Sequence, residues 1–182
     1  MDHGSHLDTV LIGALNYWRR KRGSRAMPRR RDIDPTEIPL LLPHLQLIEV
    51  AEGATRFRYR LTGTALVAAF GKEYTGKYLD ELFAGEELAY ATRVYATVCT
   101  ERRPVFLHNR YNTTRDVAMA ANRLYMPLSD DGVAVNLILG ALTFEWGRGA
   151  GAGSLTGALL DPATAAIEIL DEREAEAEAA SA

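Results

Sequence analysis

Leu7, Val10, Leu11, Ala14, Leu15 and Trp18 recur at intervals of three and four residues, which predicts an amphipathic helix over about 6–22. Arg19, Arg20, Lys21 and Arg22 fill its last turn, where cations suit the negative end of the helix dipole, and Gly23 supplies the stop. Asp34-Pro35-Thr36-Glu37 then reads as a helix start: Asp34 as cap, proline at the first helical position, Glu37 reaching back in a capping box. Pro39 and Pro43 keep that helix short.

From His44 to Ala51 the pattern turns rich in Leu, Ile and Val, and Glu52-Gly53-Ala54 reads as a turn. Thr55 to Thr62 alternates, with Phe57, Tyr59 and Leu61 on one face and Arg56, Arg58 and Arg60 on the other, the second arm of a hairpin. Short helical turns run to Phe70-Gly71, and another begins at Thr75–Leu79. A longer helix fits about 86–102, with Leu88, Ala91, Tyr95, Val98 and Cys99 on one side and Pro104 closing it. Strands follow at Val105–Tyr111, Val117–Leu128 and Val133–Trp146, the last two separated by Ser129-Asp130-Asp131-Gly132. GRGAGAGSLTG (147–157) has linker composition, and Asp161-Pro162 offers a last helix start before EAEAEAASA.

The order is helix, two strands, several helices, three strands. Hairpins with helices inserted between them predict an α+β domain with a five-stranded antiparallel sheet and helices on one face. The expected division is a flanking helix over 1–26, the domain over 27–146 and a flexible linker with an acidic tail over 147–182.

Composition narrows the functions. At 182 residues and 47% hydrophobic, the chain supports one core. Net charge of −3 gives no long-range attraction to nucleic acid, although the basic residues between Arg19 and Arg31 keep a nucleic-acid-binding module as an alternative. Cys99 is the only cysteine, so no internal disulfide forms, and no apolar run approaches a membrane span; a cytoplasmic location is expected.

MPRRRDIDPTEIPLLLPHLQLIEV (27–50), YRLTGTAL (59–66), TGKYLDEL (75–82) and YMPLSDDG (125–132) together resemble a family of small, mostly stand-alone bacterial PAS-domain proteins, over about Trp18 to Phe144. The resemblance implies a cupped antiparallel sheet with helices over one face. It also implies a small molecule held in the cleft between them, or a partner or second copy on the outer sheet face. It brings no catalytic residues.

Cofactor chemistry is restricted. The axial histidine that haem-binding PAS domains draw from the long helix has no counterpart in 86–102, and Cys99 lacks the asparagine-cysteine-arginine setting of photoactive flavin domains, so both cofactors are disfavoured. Cys99 is read as core. His3, His6, His44 and His108 are too scattered for a metal site. Phe70-Gly71-Lys72-Glu73 fails as a phosphate loop because Leu66 stands where glycine is required, and Gly147/Gly149/Ala152 lacks the helix that a dinucleotide fingerprint needs.

The candidate cleft residues are Tyr59, Phe70, Tyr74, Tyr78, Tyr95, Arg123 and Tyr125, aromatic walls with a few polar groups. At each position the plainer reading is a filled core with tyrosine hydroxyls at its edge. Arg123 is the most telling: facing inward, it needs an anion or a carboxylate; facing outward, it is a solvated strand residue. The reading is therefore a non-enzymatic sensory domain. Its expected partners are an unidentified small molecule, a signalling protein, and a second copy through the N-terminal helix and sheet. A ligand carrier or an enzyme using the cleft is the remaining alternative. No kinase, cyclase or helix-turn-helix portion is seen, so output is expected to pass through another protein.

Overall fold

The computed structural model describes residues 7–112, 118–146, 159–160 and 166–170. The first helix, α1 (Thr9–Arg22), begins where the Asp8 carboxylate accepts the Val10 and Leu11 amides at 2.9 and 3.0 Å. It ends at Gly23, whose φ of 57° few other residues adopt at low cost. The basic last turn has local partners. Arg20 and Lys21 lie over the Tyr17 ring, Arg22 over Trp18, and Lys21 reaches Glu37 at 2.7 Å.

The connector departs from expectation. Asp34 does cap, accepting the Thr36 amide at 2.9 Å, but only a 3-10 turn (Pro35–Glu37) follows. Glu37 does not close a capping box; its carboxylate goes to Lys21 instead. Asp32 offsets the arginines by pairing with Arg25 at 2.7 Å and accepting the Arg29 amide at 2.8 Å.

β1 (Leu45–Ala51) and β2 (Arg56–Thr62) form the expected hairpin. α2 (Thr64–Phe70), α3 (Leu79–Leu82) and α4 (Gly85–Glu101) follow, then β3 (Val105–Asn112), β4 (Ala118–Leu128) and β5 (Leu137–Trp146). β5 starts four residues later than Val133. The Asp131 carboxylate accepts the Val133 and Ala134 amides at 2.8 and 2.9 Å, which holds that stretch in the turn and leaves Val133 exposed. These backbone donors also hold the Asp131 carboxyl below its usual pKa.

The sheet is antiparallel in the order β2-β1-β5-β4-β3. Two short strands, β6 (Leu159–Leu160) and β7 (Glu168–Ile169), continue it along the outer edge of β3. A helix starting at Asp161 is thus corrected over 166–170. That stretch is extended, with the Leu170 amide on the Pro104 carbonyl at 3.0 Å and Leu170 buried. The expected linker, 147–157, lies outside the described residues.

Consecutive residues of β5 report the two faces. The Thr143 hydroxyl donates to Asp8 beside α1, while the Phe144 ring meets Phe70 of α2 at 5.8 Å. So α1 crosses one face and α2–α4 cover the other. Leu11, Leu15 and Trp18 are buried against the sheet, and the Trp18 indole donates to the Pro127 carbonyl at 2.8 Å. The apolar stripe of α1 is therefore covered by its own sheet and supplies no motive for a second copy.

β2 carries a second correction. Leu47 pairs with Leu61 but Ile48 with Tyr59, so Arg60 is an extra residue, a β-bulge. Phe57 and Tyr59 face the core as expected, but the bulge puts Thr62 inside and leaves Leu61 45% exposed. Arg58 and Arg60 both reach Glu49 at 2.9 Å, and Arg56 reaches Asp80 at 3.1 Å.

Candidate functional site

Between α4 and the inner sheet face, side chains converge from β1–β4 and from the α2–α3 region. Gln46, buried in β1, sends its amide nitrogen to the Tyr125 hydroxyl at 3.3 Å. Tyr125 hydrogen-bonds to Tyr95 of α4, whose hydroxyl lies 3.0 Å from that of Tyr59. The rings support this polar chain: Tyr95 meets Tyr125 edge-on at 5.0 Å and Phe57 at 5.3 Å. Tyr74 joins it, 5.3 Å from Tyr59 and stacked on Phe70 at 4.8 Å. Gly140 of β5 makes room: a Cβ there would stand 2.7 Å from Gln46 Cγ and 3.0 Å from Tyr125 Cε1.

Arg123 faces inward, two residues from Tyr125 along β4. Its Nη1 donates to Asn109 Oδ1 at 3.2 Å and its Nη2 to the Tyr111 hydroxyl, with the guanidinium 5.2 Å above the Tyr111 ring. Asn109 in turn donates to the Tyr90 hydroxyl at 3.0 Å. Arg123 Nε is enclosed and meets no acceptor among the described residues.

Burial dominates the electrostatics. Desolvation raises the hydroxyl pKa of Tyr59, Tyr90, Tyr95 and Tyr125, and pushes that of Tyr74 up to about 12. The Arg123 charge opposes the rise at Tyr59, Tyr74, Tyr90 and Tyr125 without cancelling it. At neutral pH these hydroxyls stay protonated, and the guanidinium stays charged. The cleft therefore holds one cation among neutral dipoles.

Of the residues singled out from sequence, the structure gathers Tyr59, Phe70, Tyr74, Tyr95, Arg123 and Tyr125 in one cluster. Tyr78 is not among them. It sits beyond the β2 edge, bridged to Arg58, with the Arg56 guanidinium 3.8 Å over its ring. Sequence reading missed Gln46, Tyr90, Asn109 and Tyr111. Asn109 and Tyr111 share the phase of Leu107 along β3, the one signal that marks them as inward.

Cys99 packs against the core, and burial pushes its thiol up to about 11, away from thiolate chemistry. On the outer face His108 Nδ1 lies 2.6 Å from Asn122 Oδ1, and Asn122 donates to Glu145 at 2.7 Å. No group of His, Cys, Asp and Glu suited to a metal occurs among the described residues.

This strand order, with helices inserted between β2 and β3, defines a class of cupped-sheet domain. The chain belongs to the PAS-domain family, whose sequence model matches residues 7–143 and so takes in α1. Among solved structures it is similar to a LOV protein of Rhodobacter sphaeroides, at 16% identity over 64% of this chain and 70% of that one, with a TM-score of 0.41. No curated protein matches it.

Proposed function

We infer that this chain is a non-enzymatic sensory domain that takes a small molecule into the cleft under α4 and passes occupancy through the sheet to a partner protein or a second copy. The observation that supports this is the convergence of Gln46, Tyr59, Tyr95 and Tyr125 with Asn109 and Arg123 inside aromatic walls. Each buried polar group costs stability unless it is paired, so a core built for stability alone would use apolar residues here. Polar groups converging within apolar walls are what orients a small ligand. In this reading residues 27–146 hold the ligand, α1 reports on the sheet, and β6 and β7 extend the sheet edge at β3. A cytoplasmic site of action fits the single cysteine, and no helix of the described residues is long and apolar enough to cross a membrane.

One observation favours a second reading, a module that binds partners without a ligand. Phe70, Tyr74, Tyr59 and Tyr95 are already buried, with Phe70 stacked on Tyr74 at 4.8 Å, Tyr74 5.3 Å from Tyr59, and Tyr95 against Phe57 at 5.3 Å. Native mass spectrometry of the chain purified from its own host separates the two. A bound small molecule is expected; a ligand-free mass accompanied by a stoichiometric protein partner would favour the second reading. The nucleic-acid alternative finds little support, because Lys21 and Arg25 are paired with acids and Arg20 and Arg22 lie on aromatic rings.

A further inference from the structure

Arg123 is half-buried, with its Nε shut off from solvent, and a charge drawn that far out of water is stabilised when it is answered. Arg123 has neutral partners, Asn109 and the Tyr111 hydroxyl, and its Nε–H points at no acceptor. Around it the hydroxyls of Tyr74, Tyr90 and Tyr125 are donors as well as acceptors. No ion pair links Arg123 to a carboxylate among the described residues. The site offers one fixed positive charge, one unused N–H, several hydroxyl donors and aromatic walls.

We propose that the cleft ligand is a small organic monocarboxylate, its carboxylate accepting from Arg123 Nε and from the Tyr90 and Tyr111 hydroxyls, its apolar body against the Tyr74 and Phe70 rings. The proposal rests on the small-molecule reading above and names the chemistry of that ligand. Charge selects a carboxylate over a phosphate. One guanidinium balances one negative charge, whereas a phosphate dianion would bring a second into the enclosure. The other cations near the walls, Lys72 at 5.4 Å over the Tyr74 ring and Arg93 at 5.4 Å over the Tyr90 ring, are both exposed to solvent. Nε and Nη2 lie side by side on one guanidinium edge, so Nε reaches one carboxylate oxygen while the Tyr111 hydroxyl, accepting from Nη2, donates its own hydrogen to the other.

The test uses the full chain, with acetate, phenylacetate and benzoate as probes, benzamide as the neutral counterpart of benzoate, and inorganic phosphate as the competing anion. Calorimetric titration and thermal melts are read on the parent, Arg123→Met and Arg123→Lys. At least one carboxylate should bind saturably, raising the melt by about 3–6 °C at about ten times its dissociation constant. Benzamide and phosphate should bind at least about tenfold more weakly. Arg123→Met should abolish the response, and Arg123→Lys, which keeps charge and fold but loses the planar edge, should weaken it about tenfold. Benzamide binding as well as benzoate would overturn the carboxylate assignment while leaving the small-molecule reading intact. Phosphate outcompeting the carboxylates, a response unchanged in both variants, or no response to any carboxylate would each overturn it too.

Discussion

Tyr95 stands at the middle of the cleft's polar chain, and removing one oxygen there has a calculable consequence. Tyr95→Phe keeps the edge-on ring contacts with Tyr125 and Phe57 at 5.0 and 5.3 Å and deletes only the hydroxyl. Tyr125 retains Gln46 at 3.3 Å, but Tyr59, whose hydroxyl pairs with that of Tyr95 at 3.0 Å, is left enclosed with an unanswered hydroxyl. An orphaned buried hydroxyl costs about 1–3 kcal/mol. Tyr59→Phe is milder, because Tyr95 still has Tyr125; about 0.5–1.5 kcal/mol is expected. In the double variant Tyr59 no longer has a hydroxyl to orphan, so the combined loss falls short of the sum by about 1 kcal/mol. Urea denaturation of the four proteins measures this, provided the slopes agree. For a chain of this size the coupling also appears as about 2–4 °C in the melts. Additivity within about 0.3–0.5 kcal/mol would refute the hydrogen-bonded chain and leave a set of rings that merely pack.

The same burial sets an alkaline limit. Tyr59, Tyr74, Tyr95 and Tyr125 have raised folded-state pKa values, so the stability they contribute is complete below about 10 and is lost as pH climbs past that unfolded value. Tyrosinate absorbance should therefore rise together with loss of circular dichroism; free titration of these tyrosines near 10 in a folded protein would contradict the burial. Trp18→Phe removes the donor to the Pro127 carbonyl and some ring volume, with an expected loss of about 2–4 kcal/mol in chemical denaturation, whereas a loss under about 0.5 kcal/mol would mean that α1 does not depend on this contact. Gly140→Ala drives a methyl into Gln46 and Tyr125; about 1–3 kcal/mol of destabilisation and displaced Tyr125 ring resonances in NMR are expected, and unchanged resonances would refute the close approach.

What the sequence made legible and what it hid have physical causes. The alternation of Arg56, Phe57, Arg58 and Tyr59 placed β2 and its faces, because that strand buries one side only. It failed at Leu61, since the bulge at Arg60 is set by the register with β1, and nothing local to β2 encodes that register. In β3, Val105, Phe106 and Leu107 are all buried, so both faces read as apolar there and only the phase of Leu107 is left to mark Asn109 and Tyr111 as inward. Capping chemistry located Asp34, but the length of the turn after it depended on Glu37 being drawn to Lys21, a partner sixteen positions away. The segment 166–170 read as tail because edge pairing with β3 uses backbone groups, which composition does not report. Of the cleft, the aromatic residues were legible from type and position. The inward orientation of Arg123, and therefore the cation that sets the proposed ligand's chemistry, required the structure.

The central claim is that a small carboxylate occupies the cleft against Arg123. A crystal structure of the full chain purified from its own host tests it most directly. The account predicts density for a small molecule within hydrogen-bonding distance of Arg123 Nε and the Tyr90 and Tyr111 hydroxyls. Arg123 closed onto protein atoms alone, with the Tyr59–Tyr95–Tyr125 chain packed shut and no bound molecule, would contradict it.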